Sequence, residues 1–170
     1  MTLEFGGLSD TGQVRENNED SFAMAPELGL FVLSDGMGGC ESGEIASQIA
    51  VETILAHCRE AEVRLSLPMI GEATSGASEE SKRLVSAVLV ANQAIRDAAA
   101  RNPAHSNMGA TLDAVRISGE LASIVHVGDS RAYRYRSGVI EQLTQDHSFV
   151  AEQVRLGKLT PAEARRSSMV

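Results

Sequence analysis

The sequence predicts an α+β fold, and three observations carry that prediction. Strand-like segments with hairpin turns occupy the first forty residues, two helical periodicities follow between about 42 and 100, and strand–turn alternation returns from 110 to 143. Strands, then helices, then strands is the order of helices packed on an antiparallel sheet rather than of alternating βαβ units. At 170 residues, with 43% hydrophobic and 22% charged side chains, the chain is large enough for one domain with a real core.

The first segment, Thr2 to Ser9, reads as a short strand with Leu3 and Phe5 on one side, closed by a Ser9-Asp10-Thr11-Gly12 turn. The next is the centre of the chain. Leu30-Phe31-Val32-Leu33 runs without polar alternation into Ser34-Asp35-Gly36-Met37-Gly38-Gly39. Such a run predicts a strand buried on both faces, and the glycines let the backbone turn where it ends. Upstream, Arg15-Glu16-Asn17-Asn18-Glu19-Asp20-Ser21 leads into a second strand, and Ala25-Pro26-Glu27-Leu28-Gly29 has turn chemistry. In a hairpin centred between Glu27 and Leu28, residues whose numbers sum to 55 lie opposite each other, and Asp20 and Asp35 do. Directly opposed residues have Cβ atoms about 5 Å apart. Two carboxylates at that separation repel unless a cation lies between them or one takes a proton. Glu19 adds a third acid and Arg15 a positive charge. This oxygen-rich set favours Mg²⁺ or Mn²⁺ over zinc.

After the glycines, Ser42 is placed to cap a helix running to about Arg59, with Ala46, Ala50 and Ile54 on one stripe and Ile45, Ile49 and Thr53 on another. Residues 61–78 are mixed, with Pro68, Gly71 and Gly76, and read as a loop or a frayed extension of the helix. A second helix spans about Ser78 to Ala100, with Leu84, Val88, Ala91 and Ile95 as its buried stripe, and Asn102-Pro103 breaks it. A polar loop, His105 to Gly109, precedes four strands: Ala110 to Ile117, Leu121 to Val127, Arg131 to Arg136 and Val139 to Leu143. The turns at Ser118-Gly119, Gly128-Asp129-Ser130 and Ser137-Gly138 make these a single antiparallel meander. A helix follows from Phe149 to about Leu156, and Thr160-Pro161 starts another, with Thr160 as its cap.

Net charge of −8 argues against general nucleic-acid binding. Residues 1–100 carry 6 basic and 16 acidic side chains, and 101–170 carry 9 and 7, so the acidic bias lies with the candidate cation site. Cys40 and Cys58 form no CxxC pair, and no apolar run has the length of a signal peptide or a membrane span, which points to a reduced, cytoplasmic protein. Cys40 lacks the following Arg that a phosphate-cradling cysteine loop needs. Both cysteines read as structural. His126 reads as a packed core residue, His147 as satisfying a turn, and His105 as a loop residue with a minor claim to donate a proton. Asp113 is an oddity, a carboxylate inside a strand where an unpaired charge would be costly.

The segments Arg15 to Ser21, Leu33 to Gly39, Met108 to Leu112, His126 to Tyr133 and Leu143 to Ser148, in that order, resemble the metal-dependent protein phosphatases of the PP2C (PPM) family in their short bacterial form. The resemblance covers almost the whole chain. It implies a four-layer αββα sandwich of antiparallel sheets, a single phosphatase domain over 1–170, and two or three Mn²⁺ or Mg²⁺ ions. Asp35 then corresponds to the carboxylate bridging two metals, with the Gly36 carbonyl as a further ligand. Asp20 and Glu19 correspond to acids orienting a metal-activated water, Arg15 to the phosphate-binding arginine, and Asp129 to the ligand of a third, looser ion. Residues from about 148 to 170 correspond to the flap beside the active site. The implied reaction is hydrolysis of phosphoserine and phosphothreonine in proteins, opposing a Ser/Thr kinase, without a phosphoenzyme.

The family pattern continues with two further aspartates, in a Ser-Asp-Gly and an Asp-Asn segment, which this sequence lacks. The expectation is therefore a sandwich incomplete at its C-terminus. Two functions remain in view: a protein phosphatase domain, or a phosphatase-like module that binds metal or a protein partner without hydrolysis.

Overall fold

The computed structural model describes residues 2–38, 42–63 and 76–166. Strands β1 (Asp20–Ala25) and β2 (Leu30–Met37) form the expected hairpin, joined by a 3₁₀ turn over Pro26–Leu28. Pro26 starts that turn with its φ already set, and Gly29 ends it at φ 61. No other residue fits there, because a Cβ on Gly29 would lie 2.2 Å from the Ile117 carbonyl oxygen. Helices α1 (Ser42–Val63) and α2 (Glu79–Arg101) follow, then β3 (Gly109–Ala110), β4 (Leu112–Ser118) and β5 (Leu121–Val127). The sheet order is β1-β2-β4-β5, with β3 paired to the end of β2, and every pairing is antiparallel.

Both helices cover one face of this sheet. Ala50, Val51, Ile54 and Cys58 of α1 and Leu84, Ala87 and Ala91 of α2 pack on Ala25, Leu30, Val32, Leu112 and Ala114. The small residues of α1 let it lie close to the strands, and burial of the larger side chains contributes about 2 kcal/mol each. Arg116 of β4 ties the layers together. It is buried and ion-paired with Glu62 of α1 and, at 2.9 Å, with Glu80 of α2. The hydroxyl of Ser78 caps α2 by accepting from the Ser81 N–H, and α1 runs on to Val63, past the expected end near Arg59. The expected loop over 61–78 falls largely on 64–75, outside the described residues.

Four expectations need correction. β2 is not buried on both faces: Leu30, Val32 and Ser34 are buried but Leu33 is 41% exposed, because α1 and α2 cover one side only. Thr2 to Ser9 is not a strand. Two consecutive glycines, Gly6 and Gly7, raise the cost of ordering it, and it is held by side chains instead, with the Phe5 ring tilted against that of Phe31 at 6.0 Å and Ser9 bonded to Asn18. The four-strand meander divides. The ladder stops at Gly128, whose φ is 109, and Arg131 and Ala132 turn away before β6 (Tyr133–Arg136) and β7 (Val139–Gln142) pair with each other as a separate ribbon. The expected single strand from Ala110 is likewise two, broken at Thr111. Helix α3 (Phe149–Arg155) is capped by Ser148, and α4 (Pro161–Ala164) carries a full capping box between Thr160 and Glu163.

Candidate metal centre

The hairpin register places Asp20 opposite Asp35, as the turn arithmetic predicts. The Asp35 main chain is fixed on both sides by one residue: its N–H donates to Thr111 Oγ1 at 3.0 Å and its carbonyl accepts the Thr111 N–H at 2.8 Å. Ser34 Oγ donates to the Thr111 carbonyl at 2.7 Å. Gly36 N–H donates to the Glu19 carbonyl at 3.0 Å, and a Cβ on Gly36 would lie 2.0 Å from the Gly43 carbonyl. The first turn of α1 thus presses directly on the end of β2, which only glycine permits.

Glu19 fills the angle between these elements. Its side chain is 17% exposed, lies against Gly43, and pairs with the Arg15 guanidinium at 3.7 Å. Arg15 itself is 72% exposed. Asn18 orders the approach, accepting from the Asp20 N–H through Oδ1 at 3.0 Å. A cleft of 360 Å³ is lined by Asp10, Arg15, Asn17, Glu19, Asp20 and Asp35. Burial, and next the Asp20 carboxylate within hydrogen-bond reach, push the Asp35 carboxyl up from its ordinary value; Arg15 opposes this and Asp129 adds to it. Two hard oxygen donors whose mutual repulsion already shows in this way suit a divalent cation.

Asp129 stands apart from this pair. It sits on the turn after β5, between Gly128 and Ser130, and Ser130 Oγ lies 2.8 Å from Thr111 Oγ1. Among the described residues no group of three or more His, Cys, Asp or Glu side chains is placed to hold one ion. Arg15, Glu19, Asp20 and Asp35 line one cleft, and the charge of Asp129 acts on Asp35 from outside it. Thr111 connects the two places, and sequence reasoning missed it. Its signal was position, a hydroxyl residue at the break between two strand segments.

Ser42, His105, Asp113, His126 and His147 all have partners. The expected cap Ser42 is the first residue of α1, and its hydroxyl is 2.9 Å from His105 Nδ1. The buried Asp113 is not an unpaired charge: its Oδ1 lies 2.9 Å from Nδ1 of His126, the residue opposite it in the β4–β5 ladder. His147 does satisfy a turn, since its Nδ1 accepts the Gly128 N–H at 3.2 Å. Cys58 is buried in the core, which pushes its thiol up, while Cys40 lies outside the described residues. A larger cavity of 1310 Å³, lined by Arg131, Asp146, Phe149, Val154 and Arg155 among others, includes none of the candidate site residues.

A family profile described as "Protein phosphatase 2C" matches residues 12–168. The chain belongs to the protein phosphatase 2C family. It is 37% identical over 164 residues to the serine/threonine protein phosphatase PstP of Mycobacterium tuberculosis, covering 96% of this chain and 29% of that protein. It is 32% identical over 165 residues to the protein phosphatase PhpP of Streptococcus pneumoniae, covering 95% of this chain and 62% of that one. The chain thus spans less than two thirds of the length of these relatives. The solved structure of the catalytic domain of a serine/threonine protein phosphatase PstP in complex with two manganese ions superposes with a TM-score of 0.76 at 36% identity, covering 92% of this chain and 61% of that one. The α+β class and the sandwich arrangement inferred from the sequence agree with these structures.

Proposed function

We propose that this chain is a phosphatase domain, spanning 1–170, that hydrolyses phosphoserine and phosphothreonine in proteins with the help of Mn²⁺ or Mg²⁺. The observation that carries the reading is the opposition of Asp20 and Asp35 beside the Glu19–Arg15 pair. Family membership and the manganese bound to PstP support it.

Asp35 and Asp20 would hold the two principal ions, with the Gly36 carbonyl as a further donor and Asp129 serving a looser third. Bound divalent cations supply Lewis acidity and lower the pKa of water to near neutrality. The chain's own residues do the rest. Arg15, largely exposed and only loosely paired, is free to swing its guanidinium onto two phosphate oxygens. Glu19 and Asp20 accept hydrogens from the attacking water and fix its direction. Water displaces the seryl or threonyl oxygen in line, so the products are free hydroxyl side chain and inorganic phosphate. The natural substrate is then a phosphoprotein, modified by a Ser/Thr kinase in the cytoplasm; no helix among the described residues is long and apolar enough to cross a membrane.

The test is Mn²⁺-dependent phosphate release from a phosphothreonine peptide, with Asp35→Ala as control. Release that needs both the metal and Asp35 is expected. Release that survives chelation or the substitution would overturn the reading. The absence of a three-carboxylate cluster among the described residues favours a second reading, a module that binds Mn²⁺ without hydrolysis. Calorimetric Mn²⁺ binding without phosphate release would select it.

A further inference from the structure

We propose that His126 is a positioning residue for the Asp129 turn, its ring held with hydrogens on both nitrogens between Asp113 and Gln145; its catalytic meaning rests on the phosphatase reading above. His126 Nδ1 is 2.9 Å from Asp113 Oδ1, and its Nε2 is 2.9 Å from the Gln145 carbonyl oxygen. Both partners are acceptors, so both nitrogens donate. The ring is then an imidazolium set against the Asp113 carboxylate. The side chains are 9% and 7% exposed, and the other Asp113 oxygen is buried with no hydrogen-bond partner. A carboxylate so poorly solvated is tolerated when a cation touches it.

The neighbouring ring has the opposite assignment. His147 Nδ1 accepts the Gly128 N–H, which places its hydrogen on Nε2 and leaves it neutral. The two ring centroids are 4.8 Å apart. Two imidazolium rings at that distance would repel, whereas one charged and one neutral ring do not. Asp146, the other charged group of this segment, is held by Arg131 through bonds of 2.9 and 2.6 Å. Helix α2 meets β5 toward its opposite end, where Ser81 bonds Ser123.

These bonds make one path to Asp129. Gln145, Asp146 and His147 are consecutive, and His126 grips the first of them. His147 clasps Gly128 twice, through its ring and through its N–H to the Gly128 carbonyl at 2.7 Å. Asp146 clasps Arg131. Asp129 lies between the two clasped positions, so the Asp113–His126 pair anchors the segment that shapes its turn. The bonds of the pair lead to the Asp129 turn, so it would act on the third ion site alone.

The test uses the full-length protein with ¹⁵N-labelled histidine and the isosteric variant Asp113→Asn. At pH 7.5, correlation spectra should show hydrogens on both His126 nitrogens in the unsubstituted protein and on one in Asp113→Asn. Amide exchange at Gly128 should rise by about tenfold in the variant, a local opening rather than global unfolding. Under saturating peptide, the Mn²⁺ concentration giving half-maximal rate should rise about tenfold with KM for the peptide unchanged. A single ring hydrogen on His126 in the unsubstituted protein would overturn the proposal, as would unchanged Gly128 exchange in the variant. Neither of those readouts needs hydrolysis. A protein that shows both and releases no phosphate would sink the phosphatase reading and leave the positioning role standing.

Discussion

Asp35 and Asp129 both sit next to a glycine where a strand runs out, yet they are held by different means. Asp35 lies within a strand: its main chain is bonded on both sides to Thr111, and Gly36 is wedged against the Gly43 carbonyl. Asp129 belongs to a turn with left-handed backbone at Gly128, and its neighbours are held by side chains, Ser130 by Thr111, Gly128 by His147 and Arg131 by Asp146. A backbone-held carboxylate can serve as a fixed point because its position survives most side-chain changes. A turn clasped by side chains can shift when any one of them is altered. That contrast suits a tight ion site at Asp35 and a looser one at Asp129.

The contrast is broken most strongly at Asp35 itself. Asp35→Asn should lower Mn²⁺-dependent phosphate release by about a thousandfold, the scale of losing a directly held cation. The metal-free variant should melt no lower than the parent. The sign follows from the raised Asp35 carboxyl: the folded state holds its proton to higher pH than the unfolded chain, so stability falls as pH rises through that window. Neutral Asn removes that loss, and a thermal melt at pH 7 reads it. Gly36→Ala should act on the frame instead. A methyl 2.0 Å from the Gly43 carbonyl forces β2 and α1 apart and costs about 3 kcal/mol, read as a fall in denaturant midpoint.

The Asp35 half was legible in the sequence and the Asp129 half was not, for a physical reason. Pro26 and Gly29 bracket a turn whose centre sets the β1–β2 register, and the register alone places Asp20 opposite Asp35. The same arithmetic applied to the turn after Ser118 pairs Asp113 with His126, so that partnership could also have been found. What no local pattern reveals is the course of the chain after Gly128. Residues 131–143 have strand composition and turn signals, but Arg131 is drawn to Asp146 and Ala132 N–H to Thr144 Oγ1, which turns the segment out of the first sheet. Likewise the apolar run of β2 reads as buried on both faces, because hydrophobicity does not say how many layers cover a strand.

Thr111→Val sharpens the comparison because Thr111 bonds to both places. The volume is nearly conserved while the hydroxyl is lost, so the Asp35 N–H loses an acceptor and Ser130 Oγ loses a partner. The cost should be about 2 kcal/mol, within the range for an unsatisfied polar group. Asp35 keeps its carbonyl bond to the Thr111 N–H, whereas Ser130 loses its bond to the Thr111 hydroxyl. Amide exchange should therefore rise more at residues 128–130 than at 34–36. An equal rise at both would show that the ladder gives Asp35 no added rigidity.

The smallest effect is expected at the outer clasp. The hydrogen-bonded Arg131 guanidinium holds the Asp146 carboxyl below its ordinary value, against a smaller opposing effect of burial. A lowered carboxylate contributes stability that is present above the unfolded value and lost as pH falls through the folded one. The acid limb of a melting-temperature profile should therefore be less steep in Asp146→Asn than in the parent, below about pH 4. Arg131 is 49% exposed, so solvent screening keeps the contribution to about 1 kcal/mol or less. If the two profiles coincide, the Arg131–Asp146 bonds shape the turn without stabilising it, and the restraint on Asp129 falls to His147 and Ser130.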